Sequence, residues 1–375
     1  MTTAREKLKV GIISANWGAM AHLPAWRGLP DVEVVGICTS RRETAEAAAQ
    51  RFDIPQPFWD YNLMAASPDI NIVDCGTRPN IRRDMVLACF AQAKHVYNGI
   101  PFADSFDSAR LLIEAQRTSG CIAMVDAFTQ WVPGHRLVKE MVDDGYVGRA
   151  VQVNLEFHLP LFNPPQEMMK GFAWFAEPEN GASALRNLGS HGFHMLVHLF
   201  GLPISLVAVD SRYVGEWRFE SGDIFHPQVN DTATVLLQFS SGMTAIVRTS
   251  WTAVAGRGWT LDVQGTTGRL RTEAPMFPTQ DDTTLFAAKR GDFAMTAVAI
   301  PDRCLTMDGV DFGDRYPLPH ARSMALGMRT MVDAIRDVWV DVQPDFEQAW
   351  AVARILEAAR RSVAEHGWVR LDEVV

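Results

Sequence analysis

The sequence predicts an α/β protein in which an N-terminal, doubly wound parallel sheet (a Rossmann domain) precedes a second α/β domain with a large, open, mainly antiparallel sheet. Two observations predict this fold class. Over roughly the first third of the chain, short apolar runs alternate with amphipathic helical patterns, as in parallel sheets that are covered on both faces. After Gly148 the strand-like runs become longer and alternate between apolar and polar residues, which is typical of antiparallel sheets.

Five short apolar runs in the first part of the chain are predicted strands, because continuous apolar character is typical of strands buried on both faces. They cover residues 8–13, 32–38, 70–75, 95–97 and 121–125. Helical patterns lie between them, at about residues 20–28, 42–52, 80–93 and 105–119. Strands that alternate with helices at this spacing predict a parallel sheet.

The longer strands of the second part are separated by turn residues such as Ser241-Gly242 and Thr267-Gly268. They are predicted at residues 150–157, 232–239, 244–251 and 259–263. A helix is expected to begin at Pro133 and to end at Gly145, and two more are predicted at residues 322–338 and 345–366.

Chain length predicts two domains, because 375 residues exceed the size at which single hydrophobic cores stop growing. We place a dinucleotide-binding domain at residues 1–127 and a substrate-binding domain at residues 128–375.

Composition is that of a globular enzyme, with 47% hydrophobic and 21% charged residues. A net charge of −9 opposes binding to a nucleic-acid backbone, which needs a basic face. The five cysteines include no C-x-x-C pair, which favours a reducing compartment. The polar N-terminus and the interrupted apolar stretch at residues 195–209 predict neither a signal peptide nor a membrane span. We therefore expect a cytoplasmic protein that binds a small molecule, and neither nucleic acid nor membrane.

The turn after the first predicted strand favours a nucleotide site. In dinucleotide-binding βαβ units this turn approaches the pyrophosphate, and the G-x-G-x-x-G template falls here on Ser14, Asn16 and Ala19, with Trp17 and Gly18 between them. Because the template is imperfect, an ordinary strand-turn-helix without nucleotide is the alternative.

The end of the second strand predicts NADP(H) as the cofactor. An acid at this position would bind the free ribose hydroxyl of NAD, but the sequence has Thr39-Ser40-Arg41-Arg42. Two hydroxyls and two guanidinium groups offer charge-assisted hydrogen bonds to a 2′-phosphate.

A histidine-rich helix is predicted between residues 181 and 201. At about 100° per residue, Asn187, His191, His194 and His198 share one stripe beside an apolar face. Imidazoles that titrate near neutrality can serve as a general acid or base. The alternatives are core histidines bonded to carbonyl groups, which we favour for His198, and a metal site, which we disfavour because no cysteine or carboxylate lies in this segment.

Several stretches together resemble the glucose-fructose oxidoreductase and inositol dehydrogenase family, also called Gfo/Idh/MocA, over essentially the whole chain. They are residues 9–13 (KVGII), 21–25 (AHLPA), 36–42 (GICTSRR), 94–96 (KHV) with Pro101, 141–148 (MVDDGYVG) and 188–191 (LGSH). Residues 16–22 (NWGAMAH), 39–42 (TSRR) and 145–148 (GYVG) resemble one branch of the family, similar to the fungal galactose-pathway repressor and its bacterial relatives. That resemblance implies NADP binding and pairing of subunits, as a homodimer or homotetramer, through the sheet of the C-terminal domain.

The resemblance also implies catalytic positions, and the chain departs from most of them. The lysine of the family's Glu-Lys-Pro triplet is replaced in Gly99-Ile100-Pro101, and the family aspartate falls on Asn187. The histidine is kept as His191, and a second family acid has become His194. Isoleucine cannot ionise and asparagine cannot accept a proton, so proton handling must lie elsewhere.

The residues predicted to fill this gap come from strand ends and from the second domain. His191 is our first candidate for acid/base chemistry, followed by His158 and then His194, with Asn187 orienting His191; Tyr97 is the substitute if a phenol is used. Further cofactor contacts are predicted at Thr77, Arg78, Asn80, Asn98 and Pro101. Substrate contacts are predicted at Phe128, Gln130, Trp131, Phe162 and Trp174, because aromatic faces bind sugar C–H faces or apolar rings. The alternative is that these aromatic residues only cover the second sheet.

Three functions are consistent with the sequence. The first is an NADP(H)-dependent oxidoreductase that acts at a secondary alcohol or ketone of a cyclic, sugar-like or aromatic-bearing substrate. The second is a non-redox sensor or regulatory protein that keeps the nucleotide. The third is a lyase or hydrolase that oxidises its substrate transiently with bound cofactor.

Overall fold

The computed structural model describes residues 6–163, 170–313 and 318–375. Chain contacts divide them into two compact units. The first unit is formed by the described residues of Met1–Phe128 and Thr306–Trp350, and the second by those of Thr129–Leu305 and Ala351–Val375.

A six-stranded parallel sheet forms the centre of the first unit. Its strands are β1 (Leu8–Ile13), β2 (Val32–Cys38), β3 (Gln56–Phe58), β4 (Ile72–Cys75), β5 (His95–Asn98) and β6 (Ala123–Val125). The strand order is β3-β2-β1-β4-β5-β6, so the order reverses between β1 and β4. The predicted doubly wound parallel sheet is confirmed. The edge strand β3 was not predicted, because three residues that include Pro57 give too short a signal.

The helices of this unit follow the predicted alternation. They are α1 (Leu23–Trp26), α2 (Arg42–Phe52), α3 (Tyr61–Ala66), α4 (Pro79–Ala91) and α5 (Phe106–Ser119). A π-helical turn, Gly18–His22, precedes α1 where the pattern predicted one regular helix. A 3₁₀ segment, Phe128–Trp131, follows β6 along the chain.

The second unit begins with α6 (Pro133–Asp143) and β7 (Ala150–His158). Between β7 and the next strand lie 3₁₀ turns at Lys170–Ala176 and Pro178–Asn180, a π-helical turn at Leu185–Gly189, and α7 (Ser190–Phe200). The following elements are β8 (Ser205–Ser211), β9 (Trp217–Arg218), β10 (Ile224–Phe225), β11 (Thr232–Gln238), β12 (Thr244–Ser250), β13 (Gly258–Gly265), β14 (Gly268–Ala274), β15 (Thr284–Lys289), β16 (Thr296–Val298) and α8 (Asp302–Leu305).

The chain then returns to the first unit. Helix α9 (Pro319–Ile335) packs on α1, and α10 (Phe346–Glu365) begins in the first unit and continues into the second, followed by β17 (Val369–Arg370) and a 3₁₀ turn at Leu371–Glu373. In the first unit, Arg329 and Arg336 both form ion pairs with Asp31, at 2.7 and 2.5 Å. The predicted division at residue 127 assigned α9 to the second domain, whereas the observed packing places it in the first; sequence pattern reveals a helix but not its distant ion-pair partner.

Nine strands form the sheet of the second unit, in the order β16-β15-β14-β13-β7-β12-β11-β8-β17. Strands β7 and β12 run parallel, and the other neighbouring pairs of this sheet run antiparallel. The prediction of a mainly antiparallel sheet is confirmed. Helix α7 lies against it, and Gly192 permits the close approach, because a Cβ there would lie 2.8 Å from Leu155 Cδ2.

None of the helices in the described ranges is both long and apolar enough to cross a membrane.

Candidate active site

The turn after β1 has the form of a nucleotide cradle. Ser14 is half-buried, Asn16 and Trp17 are exposed, and the Asn16 amide donates to Ser14 Oγ at 3.1 Å. Gly18 and Gly76, which follow β1 and β4, approach closely, because a Cβ at Gly76 would lie 2.7 Å from Gly18 Cα. Glycine at both positions lets the two backbone segments meet where strand order reverses, which is where doubly wound sheets bind ligands. These residues fit a dinucleotide.

The segment after β2 offers hydroxyl and guanidinium groups at the surface. Ser40, Arg41 and Arg42 are exposed, and no ion pair or hydrogen bond of the Arg41 side chain is found within the described ranges. Arg42 pairs with Glu46 at 2.8 Å and lies over the Trp59 ring at 5.2 Å. The Thr39 hydroxyl donates to the Arg41 carbonyl oxygen at 3.0 Å, so it shapes the turn. Arg41 and Ser40 are thus the groups available to a phosphate.

The loops after β4 and β5 are tied together by a buried arginine. Arg82 donates to the carbonyl oxygens of Thr77 and Pro101. A Cβ at Gly99 would lie 2.6 Å from Arg82 Nη1, so glycine at the first position of the altered triplet leaves room for the guanidinium.

Other predicted cofactor residues lie on the same two loops. Asn98 is buried and donates from Nδ2 to the Phe102 carbonyl oxygen at 3.0 Å, which makes it a support of the loop. Arg78 is exposed after β4, and Asn80 is half-buried in the first turn of α4. Ala19 is buried in the π-helical turn.

A buried histidine between two carboxylates lies under this edge of the sheet. His22 Nδ1 lies 2.8 Å from Asp74 Oδ1, and His22 Nε2 lies 3.0 Å from Asp126 Oδ2. Asp74 is near the carboxyl end of β4, and Asp126 directly follows β6. Trp26 Nε1 donates to Asp74 at 2.7 Å and Trp17 Nε1 to Asp126 at 2.9 Å. We call His22, Asp74 and Asp126 the His22 cluster.

His22 carries a proton on each ring nitrogen, because each nitrogen faces a carboxylate oxygen and such an oxygen can only accept a hydrogen bond. Complete burial alone would lower the pKa of His22, but the charges and hydrogen bonds of Asp74 and Asp126 outweigh burial and raise the pKa to about 10. His22 is therefore an imidazolium at neutral pH.

Aromatic groups surround the His22 cluster in the first unit. Tyr97 is buried, its hydroxyl lies 3.4 Å from Asp126 Oδ1, and burial raises its pKa well above the ordinary value. Trp17 stacks on His320 with ring centroids 5.4 Å apart, and Phe128 lies 6.0 Å from His320. Tyr97 is thus a protonated donor to Asp126, and the predicted residues Trp17, Phe128 and Tyr97 come together here.

The predicted histidines lie separately, in the second unit. His191 and His194 are both buried on α7, and the His191 ring meets Phe277 and Phe157 edge-on at 5.5 and 6.2 Å. Asn187 lies in the π-helical turn, where its Oδ1 accepts from the Ser183 amide at 3.1 Å. Because a π-helical turn is wider than an α-helical one, the regular stripe predicted from residue 187 to 198 is interrupted.

Burial determines the charge of the imidazoles in this unit. It lowers the pKa of His194 to about 3, with the neighbouring His191 adding to the effect. Burial also lowers the pKa of His158, at the end of β7, where Glu156 opposes and Arg248 and Arg257 support the shift. His194 is therefore neutral at physiological pH and cannot supply a proton there.

The predicted substrate contacts of the second unit have different environments. Phe162 is buried and stacks on Trp217 at 4.2 Å, so its ring belongs to an aromatic core. Trp174 is half-buried against Phe175. Gln130 is buried, and Trp131 is half-buried under the Arg136 guanidinium. Within the described ranges, no group of three or more histidine, cysteine or acidic side chains is arranged so that it could hold a metal ion.

Sequence reasoning missed the His22 cluster. Asp74 stands in the otherwise apolar segment Ile72-Val73-Asp74-Cys75, and a carboxylate in a buried strand requires a partner. That signal could have pointed to a buried cation, but no sequence spacing links Asp74 to His22 or to Asp126.

Two family models match the chain. The model of an oxidoreductase family with an NAD-binding Rossmann fold matches residues 8–127, and the GFO/IDH/MocA C-terminal domain matches residues 135–271. Together they match more than half of the chain. The chain belongs to the Gfo/Idh/MocA oxidoreductase family. The first unit of this Gfo/Idh/MocA protein is accordingly a pyridine-nucleotide-binding unit.

Several known dehydrogenases are similar to this chain. D-apiose dehydrogenase from Paraburkholderia graminis is 27% identical over 73% of this chain and 69% of its own length. Trans-1,2-dihydrobenzene-1,2-diol dehydrogenase from Xenopus laevis is 25% identical over 61% of this chain and 63% of its own length. The solved structure of levoglucosan dehydrogenase in complex with NADH and levoglucosan has a TM-score of 0.83 and 21% identity, covering 98% of this chain and all of that one. This likeness supports the fold.

Proposed function

We propose that the protein is an NADP(H)-dependent dehydrogenase that acts at a secondary alcohol or ketone of a cyclic substrate, either sugar-like or aromatic-bearing. Family membership and the names of the similar dehydrogenases support the substrate class, since levoglucosan and trans-1,2-dihydrobenzene-1,2-diol are cyclic alcohols. The five free, buried cysteines support a cytoplasmic location.

The observation that carries the cofactor proposal is the exposed Arg41 beside Ser40 at the end of β2. An acid there would repel a 2′-phosphate, whereas Arg41 and Ser40 can donate to it. Ser14, Asn16, Gly18 and Ala19 would hold the pyrophosphate through the turn after β1. These residues also favour the branch that resembles the galactose-pathway repressor.

When bound, the nicotinamide supplies or accepts the hydride. The protein must handle the proton, and His191 is the proposed acid or base, with His158 and then Tyr97 as the alternatives. His194, neutral because of its burial, can contribute a hydrogen bond but no proton. Asn187 holds the backbone turn before His191, and this is a positioning role.

Cofactor preference is tested by calorimetry with NADP⁺ and NAD⁺. We expect tighter binding of NADP⁺, and Arg41→Ala should weaken it by about 1.5 to 3 kcal/mol, the range for hydrogen bonds to charged groups. The exposed Arg110→Ala, on α5, is the matched control and should change nothing. Equal affinity for both nucleotides would contradict the NADP preference.

A nucleotide sensor is a second candidate function, favoured by Ile100 in place of the lysine. Turnover distinguishes the two functions. A dehydrogenase reduces NADP⁺ in the presence of levoglucosan or another cyclic alcohol, whereas a sensor binds nucleotide and shows no turnover with any alcohol of such a panel. An enzyme that oxidises its substrate transiently would instead be purified with nucleotide bound.

We also propose that two or four copies associate through the outer face of the nine-stranded sheet. Side chains on this face alternate with the core residues, and Val209 is an exposed apolar member. Light scattering on the purified protein tests this, and a monomeric mass at micromolar concentration would contradict it.

A further inference from the structure

We propose that the His22 cluster is a buried anionic site that makes this protein bind the oxidised, cationic nicotinamide more tightly than the reduced, neutral form. The inference rests on the proposed function, and it adds to it a preference for one redox form of the cofactor.

The His22 cluster lies at the edge of the parallel sheet where the nucleotide is proposed to bind. His22 follows β1, Asp74 lies near the end of β4 and Asp126 follows β6, so all three side chains belong to the carboxyl edge of the parallel sheet. The reversal of strand order lies between β1 and β4. In doubly wound sheets this crevice holds the nucleotide, so the cluster underlies the proposed cofactor site.

The His22 cluster has a net negative charge. Both nitrogens of His22 face carboxylate oxygens, at 2.8 Å to Asp74 and 3.0 Å to Asp126. Two carboxylates and one imidazolium leave a net charge of −1. The side chains of His22 and Asp74 are 0% exposed and that of Asp126 is 5% exposed, so water screens this charge weakly.

Three ionisable groups near the cluster are uncharged and therefore do not change its net charge of −1. Tyr97 stays protonated because burial raises its pKa, and burial lowers the pKa of His320, which stays neutral. The Cys75 thiol stays protonated because its hydrogen bond with Cys89 and its burial raise its pKa.

Arg82 is a second buried cation near the cluster. Its guanidinium donates to the carbonyl oxygens of Thr77 and Pro101, and the carboxylates of Asp126, Asp104 and Asp74 all act on it. Three carboxylates and the two cations, Arg82 and His22, leave the whole group with a net charge of −1.

The oxidised nicotinamide ring carries a positive charge that the reduced ring lacks, so an anionic site distinguishes the two. The preference does not depend on the 2′-phosphate, which both redox forms share. The same cluster should therefore favour NAD⁺ over NADH as well as NADP⁺ over NADPH. At an effective dielectric constant near 20, one weakly screened net charge close to the ring corresponds to a preference of at least about tenfold.

The test measures dissociation constants of NADP⁺, NADPH, NAD⁺ and NADH by calorimetry, without any substrate. The wild-type protein should bind each oxidised form at least about tenfold more tightly than its reduced form. Asp126→Asn, which neutralises the cluster, should bring the ratio close to one by weakening the oxidised form selectively. Asp69→Asn is the matched control, because Asp69 lies before β4 at the opposite end of the strand, and it should keep the wild-type ratio.

A merely structural role of Asp126 would change the affinities of both redox forms equally, and this outcome would overturn the proposal. Should Asp126→Asn fail to fold, the wild-type ratio decides, since equal or tighter binding of the reduced forms contradicts the proposal. Failure to bind any of the four nucleotides would contradict the proposed function itself.

Discussion

His22 in the first unit is a cation and His194 in the second unit is neutral, although both side chains are nearly inaccessible to water. His22 contacts two carboxylates, and its pKa is raised to about 10. Burial lowers the pKa of His194 to about 3, and a second imidazole, His191, adds to this effect. Burial is the largest influence on both, so neighbouring charges decide whether a buried imidazole is a cation.

This contrast divides the chemistry between the units. The first unit holds a permanent cation locked between acids, which contributes a fixed electrostatic field and does not exchange its proton near neutrality. The second unit holds His194, which burial keeps neutral, and on the same helix His191, the proposed acid or base.

The largest expected effect is on turnover, after His191→Ala. This change should lower kcat by about 10² to 10⁴, the range for a positioned acid or base, and leave NADPH affinity nearly unchanged. His198→Ala, on the same helix, is the control and should keep kcat. An unchanged kcat with a lower unfolding midpoint would show that His191 only packs, and would move the proposed role to His158 or Tyr97.

The next effect is on stability, after Asp74→Asn. This change leaves His22 with one carboxylate, and breaking a buried ion pair costs about 3 to 5 kcal/mol. Denaturant unfolding measures the loss. The control is Asp69→Asn, which removes an exposed pair with Lys9 at 3.5 Å and should cost at most about 1 kcal/mol. Equal losses in both variants would refute the view that His22 depends on its carboxylates.

A smaller effect is the dependence of stability on pH. Because the pKa of His22 is raised, its stabilisation is complete below the ordinary value of 6.5 and is lost as pH rises towards about 10. Because the pKa of His194 is lowered to about 3, its contribution is present above 6.5 and is lost as pH falls. Each pH unit of such a shift corresponds to about 1.4 kcal/mol at most.

Unfolding midpoints measured between pH 4 and pH 10 test both losses of stability, the alkaline one from His22 and the acid one from His194. Asp74→Asn should flatten the alkaline slope, and His194→Gln should flatten the acid slope. If one variant changed both slopes, the two histidines would not be independent.

The smallest expected effect is an absence of gain when the family residues are restored. Ile100→Lys with Asn187→Asp should not raise the oxidation of simple polyols. A lysine at position 100 would enter a loop that Arg82 fixes through Thr77 and Pro101, without its usual partners and at a cost in desolvation. Steady-state rates with inositol and glucose measure this, and increased activity would show that the pocket still supports the proton chemistry of the family's lysine and aspartate.

The local sequence pattern predicted where helices and strands lie better than it predicted what they pack against. Apolar runs located β1 and β2 at their observed bounds, because buried strands leave a continuous signal. The two π-helical turns were not predicted, since periodicity assumes a regular helix. The ion pairs of Arg329 and Arg336 with Asp31 join α9 to the first unit, and no local pattern contains them.

The sequence could predict those residues of the candidate site that follow a single strand along the chain. Ser14, Asn16, Ser40 and Arg41 come directly after β1 and β2, and they are accessible as expected. The His22 cluster joins residues from three separate segments, so its partners emerge only from the folded chain. The Phe162 ring packs in an aromatic core, an environment that the sequence alone could not distinguish from a binding surface.

The charge states of His22 and His194 are measured most directly by nitrogen NMR of the histidine rings between pH 5 and pH 9. We predict that both nitrogens of His22 carry protons throughout this range and that His194 stays neutral, with one protonated nitrogen. A His22 ring that titrates near the ordinary pKa of 6.5 would contradict the account.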